Sequence, residues 1–431
     1  MKRIIRFKKG AASFYIVAIS TLILVIIAAS FAAVIISEVT RTSNDDLAQS
    51  AYDSALAGVE DAKLAYYNYR DCVESGAGKV TGLNNDGNIS CEEIRYLVED
   101  SDSCDMTAKI LSRIGENDQR EVLIEESSSA SNDMQQAYTC VKLTNILPSY
   151  RATLSGNNPA KVVRAKFDGE NIAKTIKSIK VSWQADSDEP TRRYANFGDD
   201  GIFPKDNTLV PPVISVGLVQ TAGTFNLSDF DMTVNGQTDR GTLYLVPTGN
   251  GSLTDGDNYK VASNNHIGSD GFLKSNDKTV KNLPYAVYCD GDSYACSVTI
   301  ELPEPVNGAG ARSDETFMVV LSMPYADSST SVDLAFCADA AGCYTTETVV
   351  DGGVKEETTQ VPLKGVQIGI DSTGRANDLY RRVETILEPA DTAYPYPLYA
   401  IQVLGNDSGS LIKKNLSPTC EQNFTNSPNC D

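Results

Sequence analysis

The first forty residues combine a basic run with a long apolar stretch. Five basic residues stand within residues 2–9, and no charged residue occurs from Ala11 to Ile36. A helix over this stretch is about 39 Å long, more than the roughly 30 Å hydrocarbon core of a bilayer. A secretory signal has a shorter apolar part of about 7–15 residues. The pattern therefore predicts a transmembrane helix over residues 11–36, with the basic end in the cytoplasm and the remainder of the chain outside.

An amphipathic helical pattern continues the span over residues 37–70. Apolar side chains recur there at spacings of three and four: Leu47, Ala51, Ala55, Val59, Ala62, Tyr66 and Tyr69. The opposite face is assigned Asp46, Asp53, Asp61 and Lys63. This spacing predicts a stripe that packs against a sheet of the same protein. Either one long helix or a second helix capped by Ser43 or Asn44 fits the pattern.

The body beyond residue 70 is dominated by short alternating runs typical of β-strands. Trp183, in one such run, is predicted to be a core strand residue. Helical patterning appears between Cys91 and Arg113, and a hairpin with a long loop over residues 371–378 is predicted near the end. A polar segment over residues 186–206 predicts a boundary between an α+β region, residues 71–200, and a β-rich region, residues 201–431. The predicted fold class is α+β.

All ten cysteines lie beyond the span: Cys72, Cys91, Cys104, Cys140, Cys289, Cys296, Cys337, Cys343, Cys420 and Cys430. An even number on the external side predicts a disulfide framework. The close spacings favour three short loops, Cys289–Cys296, Cys337–Cys343 and Cys420–Cys430. The first four cysteines allow three pairings, which stay open. No C-x-x-C motif occurs and the chain has one histidine, so a zinc site is not favoured.

The charge of the chain argues against nucleic-acid binding through the body. The net charge is −20, and it becomes −25 when the five basic residues of the first ten are set aside. Such a surface repels phosphate backbones and suits a solvated external body.

Motifs for catalysis and metal binding are weak. Residues 82–93 fit the later positions of an EF-hand loop, but Gly82 occupies the first, where a ligand carboxylate is needed. Two S-x-x-K matches, at Ser275 and Ser410, lack partner motifs. His266 lies in a polar stretch typical of a surface loop, and the Tyr- and Pro-rich residues 394–399 are explained by an edge strand. We expect no catalytic residue, no metal and no cofactor.

Together, "KKGAASFYIVAISTLIL" at the start, the amphipathic extension and the disulfide-bearing body resemble type IV pilins and the pseudopilins of type II secretion. The resemblance implies cleavage by the prepilin peptidase between Gly10 and Ala11, which removes residues 1–10 as a leader, and methylation of the mature protein. It implies further partners, namely other pilin subunits and the inner-membrane assembly platform. The retained helix would first anchor the protein and then pack in a filament, exposing the body to a surface or host-cell ligand.

One departure from the family concerns the fifth position after Gly10. Major pilins carry a glutamate there, whereas this chain has Tyr15. Together with the large body, the departure resembles minor pilins and the K-type pseudopilin found at filament tips. Two other interpretations stay open: a single-pass adhesin or receptor that never enters a filament, and an anchored extracellular hydrolase. Ser30, Ala33 and Ser37 lie three or four residues apart, a spacing that permits close helix contacts but is also common in membrane helices.

Overall fold

The structure, a computed structural model, describes most of the chain. The described residues are 9–75, 79–81, 88–99, 104, 106–111, 121–124, 136–167, 175–185, 212–221, 240–249, 251–256, 259–272, 283–289, 295–307, 316–324, 329–350, 353–389, 401–404 and 411–414. The predicted boundary over residues 186–206 lies outside them.

Three helices occur in the described residues: α1 (Lys9–Ser75), α2 (Cys91–Glu99) and α3 (Met106–Ile110). The strands are β1 (Lys79–Thr81), β2 (Asn88–Ser90), β3 (Val122–Leu123), β4 (Ala137–Leu147), β5 (Ser149–Leu154), β6 (Ala160–Arg164), β7 (Thr175–Ala185), β8 (Ile214–Thr221), β9 (Arg240–Thr248), β10 (Lys260–Val261), β11 (His266–Ile267), β12 (Tyr285–Tyr288), β13 (Cys296–Asn307), β14 (Thr316–Ser322), β15 (Thr330–Cys337), β16 (Thr345–Val350), β17 (Gly353–Thr358), β18 (Gln360–Val361), β19 (Leu363–Ala376), β20 (Leu379–Leu387), β21 (Ile401–Leu404) and β22 (Leu411–Lys414).

The chain divides into two compact units. Unit 1 comprises residues 1–143 and 370–385, and unit 2 comprises residues 144–369 and 386–431. The division falls within β4, β19 and β20, so the chain passes from one unit to the other within these strands.

Unit 1 contains the three helices and a sheet with the strand order β20-β19-β4-β3. Helix α1 is continuous for 67 residues. The alternative of a second helix capped near Ser43 is excluded, because α1 continues through that stretch and the Thr40 and Thr42 hydroxyls donate to carbonyls of its preceding turn. Helix α2 begins where the Ser90 hydroxyl accepts a hydrogen bond from the Glu93 amide at 3.2 Å, as an N-cap does.

The predicted hairpin near the end of the chain is present, but its long loop is wrong. Residues 371–376 continue strand β19, and only Asn377 and Asp378 separate it from β20. Asn377 has a φ of 56°, a left-handed conformation that asparagine tolerates in tight turns. Turn residues inside "DSTGRAND" suggested a loop, whereas the side chains of Ser372 and Ala376 are buried on the sheet.

Unit 2 is built around two sheets that share one hydrophobic core. Their strand orders are β10-β12-β9-β8-β14-β6 and β11-β13-β7-β15-β18, and β5 also pairs with β15. The core includes Val181 and Trp183 from β7 and Val216 and Leu218 from β8. Trp183 is fully buried and donates to the Pro212 carbonyl at 2.9 Å, which confirms it as a core strand residue.

A tight turn in unit 2 carries the chain from one sheet to the other. Strand β10 belongs to the first sheet and β11 to the second, and Asn264 and Asn265 between them both have a φ of 52°. The Asn265 side chain also hydrogen-bonds the backbone amide and carbonyl of Tyr288. A side chain thus substitutes for backbone pairing where the chain changes sheets.

The prediction of a long apolar N-terminal helix followed by a β-rich body with disulfides is confirmed by this architecture. Both helices and sheets occur in the described residues, in agreement with an α+β class.

Candidate functional site: the exposed apolar helix

The first part of α1 exposes an apolar surface to its surroundings. Every side chain described from Phe14 to Val39 is exposed, including Phe14 at 72% and Leu24 at 69%. Burying apolar surface is the main driving force of folding, so an exposed surface of this extent marks a membrane or protein contact. Gly10 and Ala11, the predicted processing residues, are helical like the rest of α1.

By length and composition, α1 could cross a membrane, and it is the one helix among the described residues that could. A signal sequence near an N-terminus meets the same criteria. The length and the composition of α1 support the predicted transmembrane span, and they support it at that level alone.

Hydroxyl groups within the span find partners in their own helix. Ser30 donates to the Ile26 carbonyl at 2.8 Å, and Ser20 donates to the Val17 carbonyl at 2.9 Å. Thr21 likewise reaches the Val17 carbonyl at 3.0 Å. Since an unpaired hydroxyl is costly in hydrocarbon, this pairing makes the helix compatible with an apolar environment.

The fifth position after Gly10 carries an exposed aromatic side chain. Tyr15 is 66% exposed, and its ring stands edge-on to that of Phe14 with centroids 6.3 Å apart. No carboxylate occurs between Ala11 and Ile36, so this part of the helix offers no acidic side chain to a partner.

The second part of α1 buries the predicted stripe within unit 1. Ala51, Ala55 and Ala62 are fully buried, Val59 and Tyr66 nearly so, and Leu47 and Tyr69 are partly buried. The stripe is therefore confirmed as a packing surface.

Small residues set the closeness of this packing. Strand β19 passes Ala51 and Ala55 at Gly374 so closely that a β-carbon on the glycine would collide with the helix backbone. Gly58 on the helix likewise faces Ser372 and Val141 without room for a β-carbon. The Ser372 hydroxyl donates to the Ala55 carbonyl at 2.7 Å. Helix and strand thus meet almost backbone to backbone.

Asp61 does not lie on the solvent face where the pattern placed it. It is 9% exposed, and its carboxylate accepts a hydrogen bond of 2.6 Å from the buried Tyr138 hydroxyl on β4. The carboxylate is buried because it has a hydrogen-bond partner, which the helical pattern alone does not reveal.

A second buried polar contact in unit 1 joins strand β19 to the residue that precedes the edge strand β3. Arg375 of β19 holds Glu121, the residue before β3, through two hydrogen bonds of 2.9 and 2.5 Å. Both side chains are at most 12% exposed. The hydrogen bonds to Glu121 raise the pKa of the Arg375 guanidinium above its ordinary value. Sequence reasoning missed this pair, whose members are 254 residues apart.

Four disulfides occur in the described residues. Unit 1 contains Cys72–Cys91 and Cys104–Cys140, which resolves the pairing that the sequence left open. Unit 2 contains Cys289–Cys296 and Cys337–Cys343, as the short spacings predict. Cys420 and Cys430 lie outside the described residues.

His266 is not the surface-loop residue that the sequence suggests. It begins strand β11, is partly buried, and its Nε2 lies 3.0 Å from the Ala340 carbonyl oxygen and 3.3 Å from Glu301 Oε1. Both neighbours accept hydrogen bonds, so a proton on Nε2 ties β11 to the loop closed by Cys337 and Cys343.

The weak motifs of the sequence lie only partly within the described residues. No cluster of three metal-ligating side chains occurs among the described residues. The start of the EF-hand-like stretch, residues 82–87, lies outside them, as do Ser275, Ser410 and residues 394–399. Ser90, in the same stretch, caps α2.

No family model, curated protein or solved structure matches the chain.

Proposed function

We propose that the chain is a structural subunit of a type IV pilus-like or pseudopilus filament, of the minor or tip class. The single observation that carries the proposal is that the two parts of α1 have different surroundings. Its first part exposes an uninterrupted apolar surface, and its second part packs closely on a sheet of unit 1. This arrangement is the one that the resemblance of residues 1–70 implies.

In this proposal, the prepilin peptidase cleaves between Gly10 and Ala11, and the helix stays in the cytoplasmic membrane with the body outside. Other pilin subunits and the assembly platform are then its partners. The body faces a surface or host-cell ligand, and no residue performs chemistry on a substrate. The external position agrees with the disulfides, since they persist in oxidising compartments.

The alternative is a single-pass adhesin or receptor that is never processed and never enters a filament. Tyr15 favours it, because the side chain that major pilins offer to a neighbouring subunit is missing. The two functions differ at Gly10, since only the filament subunit needs that glycine.

The deciding experiment is the intact mass and N-terminal sequence of the membrane-extracted protein, made in cells with an active prepilin peptidase. The expected mature protein begins at Ala11. Gly10→Val should abolish this cleavage, whereas Ala12→Val, two positions on, should leave it intact. A protein that keeps Met1 overturns the filament proposal and favours the plain anchor. Cleavage beyond Ile36 would overturn both and show a signal sequence.

A further inference from the structure

The hydrophobic core of unit 2 comes from one continuous part of the chain. Among the described residues, every member of its buried cluster lies between Tyr150 and Val366. The buried residues of unit 1, such as Ala55, Ile94 and Val141, do not belong to that cluster. A segment with its own contiguous core satisfies the main requirement for folding by itself.

The two ends of that segment meet on neighbouring strands. A β-carbon on Gly369 of β19 would lie 3.7 Å from the β-carbon of Thr144 on β4. Beyond this point, within unit 1, the Thr139 hydroxyl lies 3.4 Å from the Thr373 carbonyl oxygen across the same two strands. The chain therefore leaves unit 1 after Leu143 and returns on the adjacent strand. Adjacent ends are typical of inserted domains.

Each of the four described disulfides lies within one of the two units. Cys72–Cys91 and Cys104–Cys140 close loops inside unit 1. Cys289–Cys296 and Cys337–Cys343 close loops inside the segment. None of these four bridges ties one unit to the other, so each unit keeps its own constraints if the other opens.

The part of the chain after β20 contributes polar contacts to unit 2. Glu388 accepts a hydrogen bond of 2.7 Å from the buried Tyr150 hydroxyl and pairs with Lys161 at 2.6 Å. The described residues of this part add no member to the buried cluster. The described core of unit 2 therefore comes from residues 150–366.

We propose that residues 144–369 are an inserted module that folds and unfolds independently of the helix-bearing unit. The helix-bearing unit, called the carrier below, then holds the module as an inserted domain. The carrier keeps its anchor and its helix–sheet packing when the module opens. This inference does not depend on whether the carrier enters a filament or remains a plain anchor.

Hydrogen exchange of the full-length protein in detergent, read by mass spectrometry, tests the proposal. Trp183→Ala removes the largest fully buried side chain of the module. Amides of β7, β13 and β15 should then exchange at least about tenfold faster, while those of residues 50–62 change less than about twofold. Ile179→Val is a milder variant, in case the first is degraded in cells. It should show the same selectivity at smaller amplitude.

Gly374→Val is the reciprocal variant, because it forces helix and strand apart in unit 1. It should speed exchange over residues 50–62 and leave β7 and β13 unchanged. Parallel acceleration of both units in either variant would overturn the proposal and show a single cooperative structure. The result is the same whether or not Gly10 is processed, so this test and that of the filament function can fail separately.

Discussion

Gly374 lies against the backbone of Ala51, with no space for a β-carbon between strand β19 and helix α1. The contact is made by a glycine near the end of the chain and an alanine near its start. The spacing of helix and sheet in unit 1 is therefore fixed by the smallest available side chains.

Gly374→Ala should destabilise this packing by about 1–3 kcal/mol, because the added β-carbon displaces the strand from the helix backbone. Gly369→Ala on the same strand is the matched control. Its β-carbon would meet the flexible end of Leu147 at 3.2 Å, so its effect should stay below about 1 kcal/mol. Hydrogen exchange gives the free energy of opening, read over residues 50–62 for Gly374→Ala and over residues 144–147 of β4 for Gly369→Ala. Equal effects would show that the close approach does not limit the packing.

Arg375→Met should lower the stability of unit 1 by about 2–3 kcal/mol, because it leaves the buried Glu121 carboxylate without its partner. The control is Arg382→Met on the next strand. Arg382 holds Asp371 by two similar hydrogen bonds, but its side chain is 61% exposed, so its loss should be nearly neutral. Urea unfolding, followed by hydrogen exchange over unit 1, measures the loss of stability in each of the two variants. A neutral Arg375→Met would contradict the importance of the buried pair.

The cysteines of the four bridges should resist alkylation until a reductant is added. Non-reduced peptide mapping should then link Cys72 with Cys91 and Cys104 with Cys140. By the chain-entropy model, losing the first bridge, with a sequence separation of 19, costs about 3 kcal/mol. A peptide that joins Cys72 to Cys104 would refute this connectivity.

The carboxyl group of Asp339 should titrate at unusually low pH. The Ala341 amide and the Tyr344 hydroxyl each donate to it at 2.9 Å, and the amide hydrogen bond is the larger cause of its lowered pKa. An unfolded aspartate titrates near about 3.9, so the stabilisation is present above that pH. It is lost as the pH falls through the lower folded pKa. Carbon-13 NMR of the carboxyl measures this. A midpoint at or above 3.9 would count against the hydrogen bonds, and Tyr344→Phe should raise the midpoint.

Within the proposed function, filament position is the remaining prediction. A subunit with Tyr15 offers no carboxylate to a neighbour, but it can still present its Ala11 amine, so its contacts are one-sided. We expect immunogold labels at filament tips or in an initiating complex, at low abundance. Tyr15→Glu should change incorporation only mildly. Dense labelling along the whole shaft would identify a major subunit instead.

Features that depend on near neighbours in the chain were predictable from the sequence. The stripe from Leu47 to Tyr69 follows from helical periodicity, because one side of the helix packs on a sheet. The Cys289–Cys296 and Cys337–Cys343 bridges follow from spacing, since a short loop brings its ends together at little entropic cost.

Features that depend on distant partners were not predictable. Asp61 is buried because Tyr138, 77 residues away, donates a hydrogen bond to it. The polar residues at 371–376 form a strand because Ser372 and Gly374 meet the helix backbone, which overrides the turn propensity of the stretch. The apolar first part of α1 was thus predictable from the sequence. The contacts that hold the second part of α1 on the unit 1 sheet were not.

The hydrogen bond from Ser372 to Ala55 also bears on the order of events during synthesis. The two residues are 317 positions apart, so α1 is complete long before its strand partner exists. At about 5–20 residues per second, the ribosome needs roughly 15–60 s to supply that strand. During this interval the side of α1 at Ala51 and Ala55 lacks the strand that later covers it, and such transiently exposed apolar surface is prone to aggregation in a newly made chain.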